Sequence, residues 1–249
     1  MLKIINYEKY LRKNTLLHCN GKISDRTGTG KYNLDFCCKG KRTLSEACAE
    51  MGLPLNVIEK ELNHVVNAAE KKHLPFTEMN AEQLISYILI HHHFYVKQSM
   101  PGIFFHLQKV ALKHGDKFPY MQKVLKLFSV VKDEMTAHMQ KEELILFPRI
   151  RSTEVLVSKN GPIRIPESYI SMPVNMMEAE HENAGAILYS IRELTNNYTA
   201  PHGACTTFKL SLTELKEFEE NLHRHVHLEN NLLFPMAKKM FHTIVKSNR

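Results

Sequence analysis

A histidine and a glutamate recur four residues apart at two places in the chain, within the same local sequence. The first copy runs from His138 to Pro148 and the second from His225 to Pro235, and both read H-x-x-x-E-x-x-x-L-F-P. Residues four apart lie on the same face of an α-helix, so each copy directs an imidazole and a carboxylate to one point. Both groups are ligands of iron, manganese and zinc. The repeat therefore predicts a metal site.

Each half of the chain carries one more histidine, on a helical segment upstream of its repeat. His93 precedes His138, and His181 precedes His225, by about 45 positions. This spacing predicts two helical hairpins, each giving two histidines and one glutamate. The predicted ligands are His93, His138, Glu142, His181, His225 and Glu229. Four nitrogens and two carboxylates that can bridge suit a pair of iron or manganese ions better than one zinc ion, whose usual site has four ligands.

The apolar residues ahead of each repeat keep the phase of its histidine. They recur at helical spacing, and they are Val124, Leu127, Val131 and Met135 in the first half and Leu215, Phe218 and Leu222 in the second. Both ligand pairs are therefore predicted to face the core. Among the contiguous histidines His91, His92 and His93 only one can point straight at the centre, because successive residues differ by about 100° around a helix. His93 fits the phase of its neighbours best.

The composition predicts an all-α fold. The 249 residues contain ten glycines, ten prolines and no tryptophan, and long stretches consist of helix-forming residues. We expect a four-helix bundle over residues 78–245, whose first helix begins at a capping box formed by Asn80 and Gln83. Its second and last helices are expected to end near the proline of each repeat. A long crossover, residues 152–171, is expected to join the two hairpins.

Charge, hydropathy and cysteine content argue against several classes of protein. The net charge is +7, but the lysines are scattered rather than grouped in one stripe, which argues against nucleic-acid binding. No apolar run reaches about 18 residues, and the N-terminus lacks the apolar segment of a signal peptide, so neither a membrane span nor secretion is expected. Five cysteines are an odd number and do not suggest a disulfide framework. A reducing cytoplasm is the expected location.

Two adjacent cysteines mark the N-terminal part of the chain. Cys37 and Cys38 precede a short helix that should end near Gly52, within a small helical domain expected over residues 31–72. A helix N-terminus and nearby lysines favour a reactive thiolate, and burial as small apolar residues is the alternative. Residues 1–30 are expected to form an arm, to which the sequence assigns no role.

Two further glutamates lie close to predicted ligands. Glu134 is one helical turn before His138, and Glu180 directly precedes His181. Either carboxylate could support a metal ligand or line a path for protons and ions. The phase of His138 favours an inward Glu134. For Glu180, a solvated helix face is the alternative.

Taken together, these residues resemble the RIC family, the di-iron iron–sulfur cluster repair proteins with a hemerythrin-like domain. The resemblance runs from about Tyr32 to the end of the chain. It rests on Asp35-Phe-Cys-Cys-x-Gly-Lys, Glu178-x-Glu-His-x-x-Ala-Gly185, Asn196-Asn-x-Thr, Ala204-Cys-Thr-Thr, Leu228-Glu-Asn-Asn-x-Leu-Phe-Pro235 and the first H-x-x-x-E-E-x-I-L-F-P.

The resemblance implies a fold, a cofactor and site residues. The fold would be a small N-terminal helical domain plus a hemerythrin-like four-helix bundle. The cofactor would be two non-haem iron ions joined by an oxo bridge, with the four histidines as terminal ligands and Glu142 and Glu229 bridging. The resemblance also implies that Glu134 and Glu180 line the route to the metal. It assigns the cysteine pair to the N-terminal domain of the family.

Three functions are compatible with these features. The resemblance implies repair of iron–sulfur clusters damaged by nitric oxide or peroxide, through iron supply, with the damaged proteins as partners. An enzyme that reduces nitric oxide or peroxide is the alternative, because the predicted ligands leave positions on the irons open and Cys37 and Cys38 could supply thiols. A hemerythrin-like oxygen or redox sensor is the third, although no signalling domain accompanies the bundle. A homodimer stays open.

Overall fold

The computed structural model describes residues 45, 48–49, 52–57, 76–159, 166 and 168–247. The chain divides into two units, residues 1–78 and 79–249. The predicted arm, residues 1–30, and both adjacent cysteines, Cys37 and Cys38, lie outside the described residues. The boundaries expected at residues 31–72 and 78–245 stay predictions.

The described residues of the first unit include the end of one short helix. Gly52 has a φ of 64°, in the left-handed region that glycine adopts without strain. Its N–H donates to the carbonyl of Ala49 at 3.2 Å, and the N–H of Leu53 donates to that of Cys48 at 2.8 Å. This pair of bonds is a Schellman motif, which closes a helix at its C-terminus. The predicted helix end near Gly52 is therefore confirmed.

The described residues of the second unit form helices joined by turns, and the all-α prediction is confirmed. Between residues 79 and 247, the described part of the chain forms seven α-helices: α1 (Ala81–Ile88), α2 (Phe94–His114), α3 (Tyr120–Lys141), α4 (Phe147–Lys159), α5 (Ser168–Leu194), α6 (Thr206–Leu228) and α7 (Phe234–Ser247). Three π turns continue one α-helix into the next: the first π turn (Leu89–His93), the second π turn (Glu142–Leu146) and the third π turn (Glu229–Leu233). None of the described helices is both long and apolar enough to cross a membrane.

Helices α2, α3, α5 and α6 form the four-helix bundle. Helix α3 packs on α2 and α5, and α2 packs on α6. Phe128 of α3 and Phe218 of α6 meet edge to face across the core, with ring centroids 5.4 Å apart. The apolar stripes predicted on α3 and α6 are buried, except that Leu127 is half-buried and Phe128 occupies the centre in its place.

The start of α1 agrees with the sequence prediction. The side chain of Asn80 accepts the N–H of Gln83 at 2.9 Å, and the Gln83 side chain accepts the N–H of Asn80 at 3.0 Å. These two bonds are the capping box expected there.

The helices do not end at the prolines of the repeats, and that prediction was wrong. A π turn ends two residues before each proline, and α4 and α7 then continue through Pro148 and Pro235. In a π turn the N–H bonds five residues back instead of four, as Phe147 does to the carbonyl of Glu142 and Phe234 to that of Glu229. The regular ladder is already interrupted there, so a proline without an N–H is tolerated.

The crossover between the hairpins is also shorter than the predicted residues 152–171. Helix α4 extends to Lys159, and α5 begins at Ser168. The side chain of Thr153 in α4 is fully buried. Helix α4 packs on α7, the matching continuation of α6, and this packing keeps it helical beyond the bundle.

Candidate metal centre

The structure brings all six predicted metal ligands together inside the bundle. Each is at most 1% exposed, so the inward orientation inferred from the helical phase is confirmed. His93 closes the first π turn, and His181 lies within α5. His138 and His225 lie in the last turn of α3 and α6, and the two glutamates open the second and third π turns. The centre lies where three bundle helices change their winding.

The six side chains form two groups of four that share both glutamates. His93 and His225 join Glu142 and Glu229 in one group, and within that group the candidate ligand atoms lie within 4.8 Å of one another. His138 and His181 complete the second group with the same two carboxylates. Each group takes one histidine from each hairpin, so neither hairpin can form a site alone.

The buried oxygen and nitrogen atoms of this centre are arranged to bind a pair of cations. Both carboxylate oxygens of Glu142 and Oε2 of Glu229 are buried without a hydrogen bond. The Nε2 atoms converge in pairs, at 3.1 Å between His93 and His225 and 2.9 Å between His138 and His181. Buried carboxylate oxygens without a hydrogen bond are costly unless a cation neutralises their charge. The donor set of imidazole and carboxylate suits iron or manganese.

The electrostatics of the centre favour positive charge beside the carboxylates. Burial and the second carboxylate raise the pKa of Glu142, but His138 and His93 outweigh them and the net pKa is lowered. Burial also raises the pKa of Glu229, and His225 and His181 bring it well below its ordinary value. Burial lowers the pKa of His138, but Glu142 and Glu180 prevail and raise it to about 10. Without metal, a proton on His138 offsets the charge of Glu142.

Three of the four histidines are held by a second polar group at Nδ1. His93 bonds Glu143 at 2.7 Å, His138 bonds Glu180 at 2.9 Å, and His181 bonds Asn230 at 2.9 Å. Such bonds fix the ring orientation and leave Nε2 as the donor atom toward the metal. Nδ1 of His225 is buried and has no hydrogen bond within the part of the chain that the structure describes.

Two of these supporting residues were missed by the sequence analysis. Glu143 and Asn230 directly follow the shared glutamates, at matching positions of the two repeats. Each lies in a π turn and reaches a histidine of another helix. A polar residue at the same place in both copies was the available signal. Lys97 also binds Glu143, with its Nζ 2.7 Å from Oε1.

The two glutamates proposed as supporting groups differ in position. Glu180 is 30% exposed and is bonded to both His138 and Lys141, so it is not simply a solvated helix face. Glu134 is exposed and accepts a bond from Asn183 at 2.7 Å. The inward orientation expected of Glu134 was therefore wrong. Met135 occupies the inward position one turn before His138, and Glu134 is displaced to the edge of α3.

We expect Glu180→Ala to weaken iron binding about 10- to 100-fold, because His138 loses the acceptor that orients its ring. Affinity would be measured by competition with a chelator of known stability. Glu178→Ala is the matched control, because Glu178 lies on the same helix and binds Lys238 at 3.1 Å instead of a ligand. Equal iron affinity in the two variants would show that the bond to His138 contributes nothing.

Behind the centre, further rings pack against one ligand. His92 is buried and stacks on His225, with ring centroids 5.6 Å apart. Its Nδ1 is 3.1 Å from the Asn221 side chain. Burial, followed by His225, lowers the pKa of His92 to about 3, so this imidazole is neutral. The expectation that His93, among three contiguous histidines, faces the centre is confirmed.

Comparison with known proteins agrees with this geometry. Residues 84–237 match the hemerythrin HHE cation binding domain, and residues 30–66 match ScdA_N, a domain of unknown function (DUF542). The chain is 37% identical over 207 residues to the iron-sulfur cluster repair protein YtfE of Cronobacter sakazakii, covering 83% of this chain and 87% of that protein. The chain belongs to the hemerythrin HHE family. The resemblance inferred from its motifs is confirmed.

Other relatives of this hemerythrin HHE protein are similar over the same extent. YtfE proteins of Shigella boydii serotype 4 and Escherichia coli O81 are each 35% identical over 207 residues, covering 83% of this chain and 88% of theirs. As a hemerythrin HHE protein, the chain binds two non-haem iron ions, and the two groups of four fit them. The spacing of the ligands alone left the choice between iron and manganese open, and the family decides it for iron.

Proposed function

We propose that this protein repairs damaged iron–sulfur clusters by supplying iron from its buried centre. The observation that carries the proposal is the pair of four-residue groups sharing Glu142 and Glu229. The relatives at 35–37% identity, named as iron-sulfur cluster repair proteins, support it. The terminal ligands would be His93, His138, His181 and His225, with the shared glutamates bridging.

The ligand count suits iron that can leave. Two histidines and two carboxylates leave part of an octahedral iron coordination sphere to small exchangeable ligands. When iron leaves, His138 can take up a proton, because its pKa in the metal-free protein is raised to about 10. That proton neutralises Glu142, whose Oε2 lies 3.3 Å from Nε2 of His138. The emptied centre is thereby held together and can be filled again.

The proposed function also involves the small N-terminal domain, the location of the protein and its partners. The bundle would occupy residues 78–245, and the small domain, residues 31–72, would present Cys37 and Cys38 as redox thiols. We infer a cytoplasmic protein from its odd set of five cysteines. Its partners would be proteins with damaged clusters, and nitric oxide or oxygen species would be its small ligands. A homodimer is compatible with these roles.

Reactivation of apo-aconitase tests the proposal. Iron-loaded protein, incubated anaerobically with apo-aconitase, is expected to restore aconitase activity in proportion to the iron it loses. Metal-free protein and free ferrous iron at the same concentration are the controls. Aconitase that stays inactive while the protein keeps its iron would contradict iron supply.

The same open positions favour a second candidate, a reductase for nitric oxide or peroxide. Among the residues that the structure describes, four protein groups surround each iron position, which leaves room for a small molecule to bind. Catalytic consumption of nitric oxide in excess over protein would support this function. Consumption that stops at about one molecule per iron would instead indicate trapping, which cluster repair tolerates.

A further inference from the structure

A series of aromatic rings leads from one proposed iron ligand to the protein surface. The ring of His92 is stacked on His225 at an interplanar angle of 8°. Tyr87 meets His92 edge-on at 5.8 Å between centroids, and His91 packs against Tyr87 at 4.2 Å. His225 is fully buried, His92 is 4% exposed, Tyr87 is half-buried and His91 is exposed. The rings connect the buried centre to solvent at ordinary aromatic contact distances.

Metal ligation does not account for the place of His92. It belongs to neither group of four, and its ring lies against the face of His225. The bond from its Nδ1 to the Asn221 side chain keeps it in that orientation. An aliphatic side chain would fill the same space without a buried polar ring and its need for a partner. The aromatic ring of His92 is therefore expected to have a function of its own.

The outer end of the series lies in an exposed stripe that runs from α1 through the first π turn to the start of α2. Ile90 and His91 lie three and four residues after Tyr87, and Phe94 lies four residues after Ile90 and three after His91, so the four residues share one face. Ile90 and Phe94 are 64% and 63% exposed. Arg224 lies close enough to act electrostatically on both Tyr87 and His92. Exposed apolar and aromatic groups beside a positive charge suit an acidic protein partner, as does the net charge of +7.

We propose that Tyr87, His92 and His225 form the path by which electrons reach the iron centre, and that the stripe docks an acidic flavoprotein. The exposed edge of a flavin ring can lie flat against the rings of the stripe. The small area of the stripe matches the weak, transient complexes of electron transfer. The inference rests on the proposed function, because ferrous iron exchanges more readily than ferric iron and reduction would precede iron delivery.

The electron balance of the step is simple. An anionic flavin hydroquinone loses one electron and becomes the neutral semiquinone, keeping its N5 proton. One ferric ion of the centre becomes ferrous. A second hydroquinone reduces the second iron in the same way. The rings couple donor to acceptor by orbital overlap and are not themselves reduced, so the path needs rings in contact and no titrating group.

Stopped-flow kinetics with reduced flavodoxin, an acidic flavoprotein, would test the path. Flavodoxin hydroquinone is mixed anaerobically with the iron-loaded ferric protein, and semiquinone formation is followed optically. His92→Leu and Tyr87→Leu are expected to slow the reaction about tenfold. Tyr87→Phe, which keeps the ring, should restore the wild-type rate. The matched controls are His106→Leu and Tyr120→Leu, which remove the same kinds of side chain from α2 and α3, away from the series of rings, and should leave the rate unchanged.

Further measurements distinguish slower electron transfer through the rings from loss of iron, loss of docking and dimer formation. Iron content and the rate of reduction by dithionite, a small reductant, should match wild type in every variant. Phe94→Ser should raise the dissociation constant for oxidised flavodoxin about tenfold. Equal rates in His92→Leu and wild type would overturn the path. A stripe buried between two copies of the chain, shown by a dimer that Phe94→Ser dissociates, would overturn the docking site. Wild-type protein that holds no iron would instead contradict the proposed function.

Discussion

Glu229→Ala is expected to remove both iron ions from the protein, whereas loss of a single histidine should remove one. The reason is that Glu229 belongs to both groups of four, while each histidine belongs to one. Without Glu229, each iron keeps two histidines and one carboxylate, and the two groups of four share only Glu142. Iron per chain, measured by mass spectrometry after desalting, should fall from two to near zero. In His181→Ala it should fall to about half the wild-type value.

A change on the same helix provides the control for Glu229→Ala. Glu214 of α6 binds His106 at 2.7 Å and lies outside both groups, so Glu214→Ala should keep the full iron content. Circular dichroism would show that every variant remains helical. If Glu229→Ala retained one firmly bound iron, Glu229 would be a ligand of a single ion and the shared-glutamate geometry would be wrong.

The second large effect expected is on stability, since iron should stabilise the folded bundle strongly. A ligand that binds only the native state stabilises it by about 4 kcal/mol at a concentration 1,000 times its dissociation constant. Two such ions in a domain of this size should raise the melting temperature by on the order of 10 °C or more. Thermal melts of iron-loaded and chelated protein would measure this shift. Equal melting temperatures would show that iron binds outside the core.

The pH dependence of the metal-free protein should have a definite sign. His138 has an ordinary pKa of 6.5, raised in the folded protein to about 10, so its stabilising contribution is complete below pH 6.5 and is lost as pH rises toward 10. Chelated protein should therefore melt at lower temperature at pH 9.5 than at pH 6.5. His138→Gln should flatten this dependence. An unchanged melting temperature in wild type would show that no ion pair forms between His138 and Glu142.

The iron-loaded protein should respond to pH in the opposite direction. Protons compete with iron for the histidine nitrogens, so iron affinity should fall as the pH is lowered. Chelator competition at several pH values would measure this effect. Together, the two trends make the difference in melting temperature between loaded and chelated protein larger at pH 9.5 than at pH 6.5.

The ligands were predictable from the sequence because the residues of the repeat share one helical face. His138 and Glu142 stand four apart within one turn, where helical phase is reliable. The continuation of the helices beyond Pro148 was not predictable in the same way. Periodicity reasoning assumes a constant number of residues per turn, and the second π turn breaks that assumption just before the proline.

The sequence also could not predict which residues of one helix would support a metal ligand on another. Glu143 reaches His93 and Asn230 reaches His181, and both contacts depend on the relative placement of two helices. Sequence spacing within one helix carries no information on that placement. Glu134 shows the same limit on a smaller scale, since a position one turn from a ligand still leaves about 40° of rotation, enough to move a carboxylate from the core to its edge.

Each π turn holds one residue more than an α-helical turn would need, and this sets how the chain can tolerate change in length. Deleting one residue within the third π turn, for instance Leu232, would convert it to an ordinary helical turn. The Phe234 N–H would then bond the Glu229 carbonyl across four residues instead of five, so α7 would keep its rotation, and Phe234 and Ala237 would still face the core they now fill. Loss of one residue should therefore be accepted in a π turn, whereas the same loss within α6 would rotate His225 and Glu229 by about 100° relative to the earlier part of that helix.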